Sequence, residues 1–186
     1  MVWLKSHFFM RITGGDWRGR RLGTMKGFKG RPTTDFAREG LFNLLRNRVE
    51  LDGAVVLDLF AGTGIMGMEC ASRGAMSVTA VEIDKRAVGF IKDSYKGFEF
   101  DKFVVVSSEV FKYLERESLK YDFVFADPPY DLSRIKEIPS KVKKSDVLAV
   151  DGLFVMEHGE SVSFEGEDGF VERRKYGHVN FSFFNF

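Results

Sequence analysis

The sequence predicts an α/β fold: a doubly wound, mostly parallel sheet with an antiparallel edge, preceded by a small basic hairpin-and-helix extension. Three observations predict it. From residue 54 onward, short apolar runs alternate with helical stretches, the order a parallel sheet requires. Those runs are almost continuously apolar, as strands covered on both faces must be. Charge also divides the chain near residue 50. Residues 1–50 carry 11 Lys and Arg against 4 Asp and Glu, and the remaining residues carry 17 against 23. The expected organisation is therefore a basic extension over 1–50, which on charge alone either faces phosphates or is a solvated surface, and a larger domain over 51–186.

Residues 10–22 mix short apolar pieces with Gly14-Gly15 and four arginines, which predicts a β-hairpin or edge strand. Residues 23–32 are rich in glycine and lysine and read as a loop. A helix is expected from Asp35 to Arg48, with Thr33 or Thr34 as its cap. Phe36, Leu41, Leu44 and Leu45 form its apolar stripe. Strands are expected at 54–60, 77–83, 102–107, 121–127 and 152–158. Helices are expected at 64–73, 84–96 and 109–118, with Pro139 interrupting short helices before the fifth strand. The tail reads as two strands meeting at Gly177, and Phe181, Phe183, Phe184 and Phe186 are expected to fill sheet faces.

Composition excludes several classes. Hydrophobic residues at 44% and charged residues at 30% describe a soluble globular chain, and no apolar run reaches the roughly 18–20 residues that span a bilayer. The single cysteine, Cys70, cannot form an internal disulfide, so the expected compartment is the reducing cytoplasm. His7, His158 and His178 show no ligand spacing, so no metal site is expected. Nothing marks an oligomeric interface, and a monomer is the expectation.

In a doubly wound sheet, ligands bind outside the carboxyl ends of the strands. The first strand ends in Asp58-Leu59-Phe60-Ala61-Gly62-Thr63-Gly64-Ile65-Met66-Gly67, and Glu82 closes the second. The glycine spacing by itself fits a nicotinamide dinucleotide. Asp58 argues against that reading, because a carboxylate so close to the glycine turn would repel a diphosphate. It suits S-adenosylmethionine, which has no phosphate and carries a positive sulfonium and ammonium. Gly62 and Gly64 let the backbone approach the ligand. Glu82 suits the ribose hydroxyls, and Ile83 an adenine face. Glu109 either accepts the adenine amine, with Val110 as apolar partner, or serves as a carboxylate at a helix N-terminus, and the pattern leaves both open.

After the fourth strand comes Asp127-Pro128-Pro129-Tyr130. Two prolines fix φ and remove two backbone donors, leaving the Asp127 carboxylate and the Pro128 carbonyl as a rigid pair of acceptors. Such a pair can grip the two N–H groups of a planar exocyclic amine and aim its lone pair at a methyl donor. Tyr130 offers a ring on which an extracted base can lie. The bland alternative is a strand-ending Pro-Pro turn, and the glycine turn and acidic strand ends upstream weigh against it.

Three segments carry a resemblance to a known family. They are Arg11-Ile12-Thr13-Gly14-Gly15-Asp16-Trp17-Arg18-Gly19-Arg20, then Arg31-Pro32-Thr33-Thr34-Asp35 continuing through Arg38-Glu39 and Leu41-Phe42-Asn43, and the cofactor and Asp-Pro-Pro-Tyr motifs together. From Met10 to the C-terminus the chain resembles the RsmD family, bacterial methyltransferases acting on the N2 amine of a guanine in small-subunit ribosomal RNA. The resemblance implies a Rossmann-like class I S-adenosylmethionine-dependent methyltransferase fold. It puts Asp58, Gly62, Gly64 and Glu82 at the cofactor and Asp127 to Tyr130 at the target amine, and Phe60, within the same turn, is expected at the cofactor too. It implies that ribosomal RNA or a subunit assembly particle meets the arginine-rich N-terminal segment. The chain departs from the family at Phe36, usually an arginine, and at Glu109, usually Asp or Asn. The residues agree with the RNA expectation: Arg11, Arg18, Arg20, Arg21, Arg31 and Arg38 form a basic group able to meet phosphates or unpaired bases. Each alone reads equally well as solvated surface, and Trp17 reads as a packing residue.

Overall fold

The computed structural model describes residues 10–23, 25 and 33–186. Arg31, most of the 23–32 segment and His7 lie outside the described residues.

Strands β1 (Met10–Arg11) and β2 (Arg21–Leu22) form a two-stranded antiparallel ladder, pairing Met10 with Leu22 and Arg11 with Arg21. The expected hairpin is present. Its turn is docked on α2 (Ile65–Ser72): Asp16 N–H donates to the Ser72 carbonyl at 2.7 Å, and the Ser72 hydroxyl donates to the Gly14 carbonyl at 2.6 Å. Gly15 adopts φ +74°, and a Cβ there would lie 1.8 Å from the Ser72 carbonyl oxygen, so the close approach requires glycine. Trp17 packs on Phe98 and Phe100, as a packing residue should.

Helix α1 (Asp35–Leu45) starts at Thr34, whose hydroxyl accepts the Ala37 N–H. It ends three residues short of expectation, because residues 46–48 tighten into a turn in which Arg48 N–H reaches the Leu45 carbonyl. Phe36 departs from the expected stripe. It is 69% exposed with its edge against Tyr176, while Ala37, Leu41, Phe42 and Leu45 make the buried face.

The large sheet has seven strands: β3 (Val55–Leu59), β4 (Ser77–Glu82), β5 (Phe103–Ser107), β6 (Tyr121–Ala126), β7 (Leu148–His158), β8 (Phe170–Tyr176) and β9 (Val179–Phe184). Their spatial order is β5-β4-β3-β6-β7-β9-β8. Strands β3 to β7 are parallel, and β9 and β8 add the antiparallel edge. The chain runs outward from β3 to β4 and β5, then crosses to β6 on the other side. The order of the sheet therefore reverses between β3 and β6, the place where such sheets hold ligands.

Helices α3 (Lys85–Tyr95), α4 (Val110–Leu114) and α5 (Ile138–Ser145) complete the layers. Asp84 caps α3 by accepting the Arg86 N–H. The α4 helix stops well before residue 118, because the Glu117 carboxylate accepts the Ser118 and Leu119 N–H groups and turns the chain away. Pro139 stands in the first turn of α5 and begins that helix, where its missing donor costs nothing. Strand β7 starts at Leu148, four residues earlier than expected. Asp151 at φ +62° and a register shift against β6 make a bulge that carries the strand through what reads as a turn.

Alternate strand residues feed two cores. Val56, Phe123, Val155, Phe181 and Phe183 face the hairpin, α1 and α2, so the N-terminal extension shares a core with the sheet. Leu57, Val124, Phe154 and Phe184 face α4 and α5. Phe186 differs from its neighbours and is 41% exposed. Helix α2 is covered on every side, which is why Glu69 and Cys70 are both buried. Among the described residues no helix is long and apolar enough to cross a membrane.

Candidate active site

The carboxyl ends of β3, β4, β6 and β7 bring four acidic residues together: Asp58, Glu82, Asp127 and Glu157. Asp58 is 2% exposed, and its Oδ2 accepts the Gly67 N–H at 3.0 Å. Burial raises its pKa to about 7, opposed by that hydrogen bond and assisted by the nearby Glu82 charge. The turn after β3 is built from left-handed residues, with Phe60 at φ +59°, Gly62 at +54° and Gly64 at +73°. Phe60 is half-buried against the second core, and holding a non-glycine residue in that region stores strain at the turn. Gly64 is the first boundary residue of α2 and offers no side chain of its own to cap it.

Glu82 braces the same turn. Its Oε2 accepts the Gly62 N–H at 2.7 Å and its Oε1 the Asp84 N–H at 2.8 Å. Beside it Ile83 stands 64% exposed, an apolar face open to an incoming ring. Glu109 realises the helix-cap alternative: its two oxygens accept the Phe111 and Lys112 N–H groups at the start of α4. Val110 is a correction to the expected lining, since it is buried in the core with Phe111 and Leu114.

Asp127 follows β6 directly, and its N–H donates to the Leu59 carbonyl at 3.3 Å, so the Asp-Pro-Pro-Tyr turn abuts the end of β3. Its carboxyl is pushed well above the usual range, first by burial and then by the charges of Glu157 and Asp58. The Pro129 carbonyl accepts the Leu132 N–H and closes the turn. Tyr130 is 48% exposed, and its hydroxyl donates to Glu157 Oε1 at 3.1 Å. Gly159 lies against its ring, where a Cβ would come within 3.1 Å.

Glu157 escaped the sequence reading. It is 2% exposed in β7, and its Oε2 accepts the Thr33 hydroxyl at 2.7 Å. Burial raises it to about 7, against hydrogen bonds from Thr33 and Tyr130 and the attraction of Arg38. The signal for it was an acidic residue at the carboxyl end of a strand, as at Asp58 and Glu82. His158, next in sequence, packs on Phe164 and bonds the Gly159 carbonyl and the Ser182 hydroxyl, so it is a buried structural residue.

The arginines divide. Arg38 is a correction to the expected phosphate contacts: at 1% exposure it donates to Glu69 Oε1, Asp35 Oδ1 and the carbonyls of Thr33 and Arg11. Those bonds occupy its guanidinium. Glu69, itself fully buried, also accepts from Thr13 and Arg73. Arg11 pairs with Asp35, and Arg20 lies over Phe98 with a bond to the Gly97 carbonyl. Arg18 and Arg21 are exposed on the hairpin.

Comparison with known proteins bears on the family and the fold. The family model described as Conserved hypothetical protein 95 matches residues 10–185. Ribosomal RNA small subunit methyltransferase D of Escherichia coli K12 is 34% identical over 148 residues, covering 80% of this chain and 74% of that protein. The structure of yhhF from Escherichia coli, described as a methyltransferase, superposes with a TM-score of 0.82 at 30% identity, covering 95% of this chain and 97% of that one. A Thermus thermophilus protein of no stated activity superposes with a TM-score of 0.81 at 29% identity, covering 95% and 99%. The fold is that of the S-adenosylmethionine-dependent methyltransferases, and the chain belongs to the RsmD-like family described as Conserved hypothetical protein 95.

Proposed function

We propose that this protein uses S-adenosylmethionine to methylate the exocyclic N2 amine of a guanine in small-subunit ribosomal RNA. The observation that carries the reading is the junction of the Asp127-Pro128-Pro129-Tyr130 turn with the end of β3, beside buried Asp58. The donor set fits the cofactor. Three carboxyl groups, Asp58, Glu82 and Asp127, gather at the strand ends, and residues 58–67 contain no Lys or Arg. Such a site suits a cation and disfavours a diphosphate.

Asp58 holds the cofactor's ammonium end, Glu82 its ribose hydroxyls, and exposed Ile83 covers the adenine. Bound there, S-adenosylmethionine supplies an electrophilic methyl on a positive sulfur. Asp127 and the Pro128 carbonyl accept the two hydrogens of the target amine and orient its lone pair, while Tyr130 supports the base. The gain comes from positioning and placed charge. The surplus proton on the amine nitrogen passes to the Asp127 carboxylate. In the free protein burial keeps that carboxyl protonated beyond the usual range, so the positive cofactor beside it favours the ionised, accepting form. Exposed Arg18 and Arg21 offer the RNA a basic surface on the hairpin, and Arg31 adds to the basic count of the same N-terminal stretch in sequence.

The test is labelled-methyl transfer to small subunits lacking the modification, with the modified nucleoside identified by mass spectrometry. N2-methylguanosine is expected. Label entering only DNA or protein would sink the substrate assignment.

A further inference from the structure

Glu157 joins two parts of the molecule that the proposed chemistry needs in register. One oxygen accepts from Tyr130, to which the proposed chemistry assigns the target base, and the other accepts from Thr33. Thr33 directly follows the basic stretch that contains Lys26, Lys29 and Arg31 in sequence. It is 4% exposed, and its carbonyl is gripped by Arg38, which is anchored on Glu69 of α2. As a structural device this is expensive. A carboxylate that accepts from two neutral hydroxyls, with Arg38 as its nearby cation, is only partly compensated, and an amide could hold both contacts, one with its direction reversed, without the charge.

The groups around Glu157 are these. From the turn after β6 come Asp127 and Tyr130, and Asp58 of β3 stands on the other side of Asp127. From the segment before α1 comes Thr33, and from α1 comes Arg38, the nearby cation that attracts it. From β9, Asn180 turns to the His158 carbonyl instead. His158 itself is held below its usual pKa by burial.

We propose that Glu157 is a positioning residue for methyl transfer. It fixes the Tyr130 ring at the target-base face, ties that ring to the end of the basic arm, and places a second negative charge beside Asp127. The role rests on the methyltransferase reading above. Its charge makes a prediction that a purely architectural contact does not. Removing a like charge beside Asp127 lets that carboxyl ionise at lower pH.

The experiment measures kcat and KM for labelled-methyl transfer to unmodified small subunits between pH 5.5 and 9. It compares the wild type, Glu157→Gln and Tyr130→Phe, with cofactor binding by calorimetry and thermal melts alongside. Glu157→Gln is expected to keep a cooperative melt, raised at pH 8 because the costly buried charge is gone, to keep its cofactor affinity, and to lower kcat about tenfold at pH 8 with a smaller change in KM. That loss is expected to shrink toward acid, because the acid limb of its kcat profile moves down by about one pH unit or more. Tyr130→Phe is expected to lower kcat without moving the limb. A Glu157→Gln enzyme with an unmoved acid limb overturns the proposal, and so does one with unchanged kcat. Should Glu157→Gln lose its cooperative melt, Thr33→Val removes one of the two bonds and keeps the charge. It is expected to raise KM several-fold at constant limb position, and an unchanged KM counts against the tie to the arm. A wild type that transfers no methyl defeats the methyltransferase reading. A wild type that does, beside an indifferent Glu157→Gln, defeats only the positioning role.

Discussion

Asp58 is predicted to destabilise the free protein at neutral pH, and Asp58→Asn to relieve it. Its carboxyl is buried in β3 with the Gly67 N–H as donor, and its pKa stands near 7 against 3.8 for an ordinary aspartate. Below pH 3.8 both the folded and unfolded forms carry the proton, and the group has no effect on stability. Between 3.8 and 7 the unfolded chain ionises while the folded form does not, so stability falls as pH rises. Above 7 the full cost is present. Three pH units at about 1.4 kcal/mol each give roughly 4 kcal/mol as the ceiling. An asparagine has the same shape, offers the same oxygen to Gly67 and carries no charge.

Asp58→Asn is therefore expected to raise stability at pH 8 by up to about 4 kcal/mol and to change it little at pH 4. For a chain of this length each kcal/mol moves Tm by about 2–4 °C, so the shift is easily measured. Urea or thermal melts of wild type and variant at pH 4, 6 and 8 supply the comparison. Calorimetry with S-adenosylmethionine supplies the functional half, in which the variant is expected to lose most of its affinity. In the wild type, binding below pH 7 is expected to release a proton, visible as a buffer-dependent heat. A variant destabilised equally at all three pH values would refute the argument, because the aspartate would then be acting through shape or hydrogen bonding.

Other perturbations separate architecture from chemistry. Arg38→Met is expected to cost about 3–5 kcal/mol, since it strips a buried partner from Glu69 and leaves the Thr33 and Arg11 carbonyls without their donor; urea titration checks this. Gly15→Ala places a methyl against the Ser72 carbonyl at a positive φ, and is expected to cost about 2 kcal/mol or more. It should also expose the Thr13 and Trp17 amides to hydrogen exchange. Ile83→Ser is expected to leave Tm within a degree or so, because the side chain is exposed, while weakening cofactor binding several-fold. Asp127→Ala is expected to abolish methyl transfer with cofactor affinity kept within a few-fold, by parallel activity and calorimetry.

What the sequence disclosed and what it concealed follow from the range of the interactions. Asp58, Glu82 and Asp127 were legible because each stands at or next to the end of an apolar run, and the alternating order of elements puts such ends on one side of a parallel sheet. Glu157 obeys the same rule, but in Phe154-Val155-Met156-Glu157-His158 a further strand residue follows it, so the pattern reads as a packing strand. Arg38 was misread because a count of charge says nothing about partners. Its partner Glu69 lies 31 residues away, in a helix whose burial on all sides exists only once the hairpin is docked on it. Gly15, legible only as part of a hairpin, lets that docking happen, because the Ser72 carbonyl occupies the space its Cβ would need. A local pattern thus locates groups whose role depends on strand polarity. It cannot locate those whose role depends on a distant carboxylate, and the buried Arg38–Glu69 link between α1 and α2 and the Thr33–Glu157 link to β7 are both of the second kind.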